Sequence, residues 1–289
     1  MFSVGVLYSC HDFLDLVRQT PLYSESFPLL FQRFEVATGE SVLKTSQACE
    51  WTLLSSDGGI HISKRGEDIL ALGSPEARLR LQLKHMIMGL RPNWTAQLSY
   101  GRVEATKSLP EDARQCFEEA GLLNGYDAST VEWWDTVASS ARVVKDGGGN
   151  SGRLAEQYSR AYEHDRVGME PYWEGFESNF AGYDLLSRID RDSDRRLLIE
   201  VKSTQNRVRE GSFFVSRNEW KTAIHSTNYV FHLWAMKPLP KLFVVAKEDL
   251  SHHIPSDRGK GMWKEAWVPM SSFSHHEVSV KSEILESVQ

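Results

Sequence analysis

The chain has 289 residues, of which 41% are hydrophobic and 25% are charged, so it is long enough for two ordinary globular domains. Its net charge of −6 argues against a uniformly basic nucleic-acid-binding protein. It contains no apolar run long enough for a membrane span, no basic region before the apolar N-terminal residues, and no metal-ligand spacing among its three cysteines. We therefore expect a reducing, cytoplasmic setting without membrane contact.

The first half is predicted to be mostly helical and to contain one hairpin. Two strand-like runs, at residues 50–54 and 60–63, flank a tight-turn signal at 57–59. Helical patterns follow at 64–72 and 75–89. A hairpin beside helices resembles a winged helix, a fold that binds DNA in some proteins and protein partners in others.

Two further helices are predicted before a glycine-rich segment. The first, at 111–120, follows a proline and has acidic residues in its first turn, and the second, at 129–143, has one apolar face. The glycines of residues 147–152 lack the lysine that ends a phosphate-binding loop, so we interpret them as a linker. This places a recognition or partner-binding region at 1–146 and a second domain at 150–289.

The second half is predicted to begin with a helix at 152–164, which carries Glu156 in its first turns. A strand-like run at 182–187 predicts a strand that ends near Asp184, and a polar turn separates this run from an apolar, β-branched run at 197–203. The two runs predict a hairpin that bears ionisable residues.

The strand spacing brings these ionisable residues together. Glu200 and Lys202 are two residues apart, so they share one face of their strand, and Asp184 joins them if it points the same way. Two carboxylates suit Mg²⁺, with Mn²⁺ as an alternative, and a lysine beside them can orient water or stabilise charge on a phosphate. The competing interpretation is a solvated hairpin face.

The elements after Lys202 continue the sheet. A short strand at 212–215 leads into a helix that starts with a capping box, in which Ser216 is the N-cap and Glu219 is the third residue on. A second hairpin, at 228–236 and 242–246, is expected to extend the sheet.

Basic residues near the hairpin are candidates for phosphate contacts. Residues 1–147 hold 14 Lys and Arg against 19 Asp and Glu, whereas residues 148–289 hold 19 against 20, so the acidity lies mainly in the first half. Arg196 borders the hairpin turn, and Arg207 and Arg209 follow Lys202. The alternative for each arginine is a solvated loop, and any DNA binding is expected to depend on salt.

The pattern Asp-Xaa(n)-Glu-Xaa-Lys is also the motif of the PD-(D/E)XK nuclease superfamily, which this region resembles. A closer resemblance, to the NO VEIN C-terminal domain family, rests on ordered motifs at 152–156, 179–184, 199–204, 213–220, 229–234 and 253–255. It implies an α/β fold, α+β overall, with a mixed central sheet flanked by helices as in restriction endonucleases. The superfamily resemblance implies that Glu156 reaches the metal site, and the alternative for Glu156 is a surface carboxylate near a helix start. The family resemblance implies that Asn218 and Trp220 face the site, and the alternative for Trp220 is core packing.

These observations lead to a metal-dependent nuclease as the preferred hypothesis. Asp184 and Glu200 would bind the metal, Lys202 and Glu156 would assist catalysis, and Asn218 would contact phosphate. The substrate would be DNA, with RNA left open, and the setting would be restriction or anti-phage defence. The alternatives are a catalytically silent DNA-binding module and an adaptor subunit that binds a protein partner through residues 1–146; a homodimer is also left open.

Overall fold

The computed structural model describes residues 2–141, 149–257 and 261–288. The chain divides into two compact units, Met1–Val143 and Val144–Gln289. Residues 147 and 148 of the predicted glycine linker lie outside the described ranges, whereas residues 149–152 begin a helix, so this part of the linker prediction is wrong. The predicted domain boundary stays a prediction.

The first unit is mostly helical. Its helices are α1 (Val4–Gln19), α2 (Phe27–Leu30), α3 (Gly39–Ala48), α4 (Lys64–Leu70), α5 (Pro75–Leu90), α6 (Arg102–Ser108), α7 (Glu111–Glu119) and α8 (Ala128–Ala141), with a 3-10 helix at Thr95–Tyr100. Its strands are β1 (Leu22–Tyr23), β2 (Thr52–Leu54) and β3 (Gly59–Ile62). The side-chain oxygens of Thr38, Ser63 and Ser74 accept backbone N–H bonds at the starts of α3, α4 and α5, which stabilises these helix ends.

The predicted hairpin of the first unit is confirmed. Strand β2 pairs with β3 in antiparallel orientation, and β3 also pairs with β1. The three strands therefore form a small sheet in the order β1-β3-β2, and helices α1, α3 and α4 contact it.

The second unit is built around strands. Its helices are α9 (Gly149–Val167), α10 (Glu174–Glu177), α11 (Arg217–His225), α12 (Lys247–Leu250) and α13 (Ser282–Glu286), with 3-10 helices at Ser251–His253 and Met270–His276. Its strands are β4 (Tyr172–Trp173), β5 (Leu185–Arg188), β6 (Arg196–Thr204), β7 (Ser212–Ser216), β8 (Tyr229–Ala235), β9 (Lys241–Ala246), β10 (Glu265–Pro269) and β11 (Glu277–Val278).

Six of these strands form one mixed sheet in the order β11-β9-β8-β6-β5-β4. Strands β6 and β8 are parallel, and the other neighbours are antiparallel. The chain crosses from β6 to β8 through β7 and α11, and β7 pairs with β10 in a separate two-stranded ribbon. The predicted mixed sheet with helices, after a helical N-terminal region, is confirmed.

The two faces of the sheet are covered differently. Helix α9 packs on one face, where the Trp234 indole donates a hydrogen bond to Ser159 and the ring of His232 meets that of Tyr162. The alternate residues of β8, Phe231 and Leu233, lie in an apolar cluster on the opposite face. Because β6 pairs in register with β8, Glu200 and Lys202 lie beside Phe231 and Leu233 and point away from α9.

None of the helices in the described ranges is long and apolar enough to cross a membrane.

Candidate functional site

A polar cavity of about 390 Å³ opens beside β6 in the second unit. Five of the residues proposed from the sequence line it: Glu156, Asp184, Glu200, Lys202 and Asn218. The three candidate arginines, Arg196, Arg207 and Arg209, are exposed and do not line this cavity.

Asp184 lies immediately before β5, whereas the sequence pattern placed it at the end of a strand. The strand starts later because Gly182 turns the chain with a φ of +75°, which favours glycine. The Asp184 carboxylate accepts a hydrogen bond from the backbone N–H of Val201 at 2.7 Å, and this bond fixes it against β6. A Cβ on Gly175 would lie 2.7 Å from Asp184 Oδ1, so only glycine allows α10 to approach so closely.

The side chains of Glu200 and Lys202 form an ion pair on the cavity face of β6. Lys202 Nζ lies 2.8 Å from Glu200 Oε1 and 3.0 Å from Glu219 Oε1. Burial disfavours the ammonium, but the carboxylates of Glu200, Glu219 and Asp184 outweigh burial and raise the pKa of Lys202. Lys202 is therefore charged at neutral pH.

The positive charge of Lys202 does not fully compensate the negative charges of the Asp184 and Glu200 carboxylates. Burial raises the pKa of Asp184 to about 7, and the charge of Glu156 adds to the rise. Burial also raises the pKa of Glu200, and Asp184 is the next cause. Lys202 opposes both shifts without cancelling them. The pair favours either a proton or an added cation.

Glu156 reaches the cavity from α9. Its Oε2 accepts hydrogen bonds from Arg153 Nη1 at 2.7 Å and from the Trp173 indole at 2.6 Å. The same oxygen lies 3.3 Å from the position of a Cβ added to Gly175, the residue that abuts Asp184. Glu156 is thus held in one orientation next to Asp184, with its charge paired to Arg153.

Glu219 belongs to the site although sequence reasoning gave it only a structural role. The predicted capping box is confirmed, with the Ser216 hydroxyl bound to the Glu219 N–H and the Glu219 carboxylate bound to the Ser216 N–H. That carboxylate uses its other oxygen for the ion pair with Lys202. The structure brings Glu219 to the site because β7, which directly precedes the capping box, contacts β6.

Tyr229 is a second residue that the sequence did not indicate. Its side chain is buried, and its hydroxyl donates a hydrogen bond to the carbonyl of Gly182 at 2.7 Å. Burial, and then the charges of Glu200, Glu219 and Asp184, raise the pKa of Tyr229. Tyr229 thereby links the turn before Asp184 to strand β8.

The family resemblance implied that Asn218 and Trp220 face the site. Asn218 is exposed at the cavity, and its amide donates a hydrogen bond to the Phe180 carbonyl at 3.4 Å. Trp220 instead packs against the apolar cluster around Phe231, which was the alternative interpretation.

A second polar cluster lies on the α9 face of the sheet. Glu163 of α9 is buried and paired with Arg166, and His232 of β8 lies with its Nε2 3.7 Å from Glu163 Oε1. Burial lowers the pKa of His232 to about 4, although Glu163 opposes this shift. His232 is therefore neutral at physiological pH and separate from the cavity.

The donor set of the cavity determines which metal it suits. Within the described residues, no group of three or more His, Cys, Asp and Glu side chains is placed to hold a metal ion. Mg²⁺ usually takes only one or two carboxylates and completes its shell with waters and substrate phosphate. Asp184 and Glu200, with their raised pKa values, fit that requirement.

The fold and the cavity define an α/β domain with a buried carboxylate–lysine cluster on a central mixed sheet. Residues 153–245, which contain this cluster, match the family model described as Protein NO VEIN, C-terminal. The match confirms the family resemblance of this segment and covers less than half of the chain. No curated protein and no solved structure matches the chain.

Proposed function

We propose that the second unit hydrolyses phosphodiester bonds of a nucleic acid with the help of Mg²⁺ or Mn²⁺. The observation that carries this proposal is the burial of Asp184 and Glu200 beside Lys202, with the pKa values of both acids raised. A pair of carboxylates with uncompensated charge favours a divalent cation, and a charged lysine favours a phosphate.

Asp184 and Glu200 are the residues that would hold the cation. When bound, the cation would stabilise charge on the phosphate and lower the pKa of a bound water. Glu156 assists by adding negative charge next to Asp184. Lys202 neutralises the scissile phosphate or orients the attacking water, and Asn218 offers an amide donor at the mouth of the cavity.

We extend the proposal to a setting and partners. Local cations at Arg196, Arg207 and Arg209 are exposed, so they are available to phosphates outside the cavity. DNA is the preferred substrate, and a role in restriction or anti-phage defence follows by analogy alone. The first unit would supply target recognition or contacts with a protein partner.

The second candidate function is a silent binding module or adaptor. It is favoured by the ion pairs of Lys202, whose ammonium is already engaged by Glu200 and Glu219. A module of this kind would bind nucleic acid or a partner equally well with and without divalent ions.

A cleavage assay distinguishes the two functions. The protein is incubated with labelled single- and double-stranded DNA and RNA in Mg²⁺, Mn²⁺ or EDTA. Glu200→Gln and Lys202→Met keep side-chain size while they remove charge from the site. Glu248→Gln and Lys221→Met make the same changes at exposed positions outside the cavity and serve as matched controls. Metal-dependent cleavage that disappears in the first pair and persists in the controls supports hydrolysis. Cleavage that survives Glu200→Gln contradicts it, and metal-independent binding without cleavage favours the silent module.

A further inference from the structure

The ribbon of β7 and β10 carries two exposed aromatic side chains beside the cavity. Phe214 and Trp267 are directly opposite each other in the antiparallel register, with ring centroids 5.8 Å apart. Phe214 is 43% exposed and Trp267 is 69% exposed, although the neighbouring outward residues Ser212, Ser216 and Glu265 are polar. Large aromatic rings left in solvent at such positions indicate a binding surface.

This aromatic pair is continuous with the candidate site. The ammonium of Lys202 lies over the ring of Phe214, 5.2 Å from its centroid. The same ammonium lines the cavity and forms the ion pair with Glu200. A ligand with an aromatic ring stacked on Phe214 and Trp267 can therefore place a negatively charged group next to the ring in contact with the ammonium of Lys202.

Positive charges lie at both ends of the ribbon. Arg207 and Arg209 are exposed in the turn that precedes β7, and Lys264 is exposed directly before β10. Aromatic platforms flanked by cations are the arrangement with which proteins bind unpaired strands, since every base has a π-face and every linkage a phosphate. In a duplex the base faces are stacked inside the helix and cannot reach such a platform.

We propose that Phe214 and Trp267 form a stacking platform for unpaired nucleobases, so that the strand presented to Lys202 is single-stranded. This inference rests on the proposed nucleic-acid substrate and names its class. DNA and RNA share the stacking chemistry, so both kinds of strand belong in the test.

Fluorescence anisotropy with labelled oligonucleotides in EDTA, and again in Ca²⁺, measures binding apart from hydrolysis. We expect single strands to bind the full chain more tightly than the duplex of the same sequence. Trp267→Ala should weaken single-strand binding roughly 5- to 100-fold, the range for loss of one stacked base, and Trp267→Phe should restore most of it. Leu239→Ala removes another exposed apolar side chain, outside the ribbon, and is the control.

A strand without bases distinguishes stacking from a structural effect. Trp267→Ala should reduce the affinity for this abasic strand much less than it reduces the affinity for the normal strand. Equal losses for both strands, unchanged single-strand binding in Trp267→Ala, or no single-strand binding in either buffer would overturn the inference.

The outcomes also separate this inference from the proposed hydrolysis. Binding that depends on Trp267, without cleavage under any metal condition, supports the platform and contradicts hydrolysis. Cleavage that is lost in Glu200→Gln supports hydrolysis. If Trp267→Ala then binds single strands as tightly as the native chain does, the platform is contradicted.

Discussion

Replacing Asp184 by Asn should stabilise the metal-free protein at alkaline pH. The ordinary pKa of an aspartate is 3.8, and that of Asp184 is raised to about 7. A shift of this size corresponds to about 4 kcal/mol, and solvent screening in the cavity should reduce the effect to about 2 kcal/mol. Asn keeps an oxygen that can accept the hydrogen bond from the N–H of Val201.

The direction of the pH dependence follows from proton binding. Because the folded pKa of Asp184 is raised, the folded state holds its proton longer than the unfolded chain does. The native protein therefore loses stability as the pH rises from about 4 to about 7, and Asp184→Asn removes that loss. The two proteins should be similarly stable near pH 4, and the variant should be more stable at pH 8.

Urea unfolding at pH 4 and pH 8, in EDTA and in Mg²⁺, tests this reasoning. Mg²⁺ should stabilise the native protein more than Asp184→Asn, so the difference at pH 8 should shrink with the metal. Asp192→Asn changes an exposed carboxyl in the β5–β6 turn and is the control. The reasoning is refuted if Asp184→Asn is less stable than the native protein at pH 8, or if their difference does not change with pH.

Three further outcomes are expected. Glu219→Gln should keep the capping box but lose the ion pair with Lys202, so cleavage should fall while the free energy of unfolding changes by less than about 1 kcal/mol in a thermal scan. Ser216→Ala should instead lower the free energy of unfolding by about 1 kcal/mol in the same scan. Tyr229→Phe should cost about 1–2 kcal/mol in urea unfolding and slow cleavage, because the Gly182 carbonyl loses its donor; unchanged unfolding would contradict this. The lowered pKa of His232 means that stability is lost as the pH falls from 6.5 towards about 4, by about 3 kcal/mol, and His232→Gln should flatten this part of the unfolding profile.

The local part of the site could be predicted from the sequence. Glu200 and Lys202 are two residues apart on one strand, and strand geometry alone puts them on one face. Asp184 directly precedes β5, the strand that pairs with β6 in a hairpin, so a short polar turn brings it near them. The capping box at Ser216 and Glu219 is likewise local, and the structure confirms it.

The long-range part could not be predicted in the same way. Tyr229 comes near the site because β8 pairs in parallel with β6 after a crossover, and no short pattern specifies which strand becomes the neighbour. Glu219 had a sufficient structural explanation in the capping box, which concealed its ion pair with Lys202. The start of β5 after Asp184 depends on the contacts of Gly175 and Gly182, which a strand-like composition does not reveal.

The division between hairpin and crossover has a consequence for the order of folding. Asp184, Glu200 and Lys202 all belong to the β5–β6 hairpin, whose contacts are close in sequence and form quickly. Glu219 and Tyr229 arrive with α11 and β8, whose pairing closes a longer loop. During synthesis, Lys202 emerges two residues after Glu200, so the charge of Glu200 has its counter-ion before the parallel strand exists. The crossover then locks a cluster that is already partly neutral, so we expect destabilising substitutions in the hairpin to slow folding and substitutions in β8 mainly to speed unfolding.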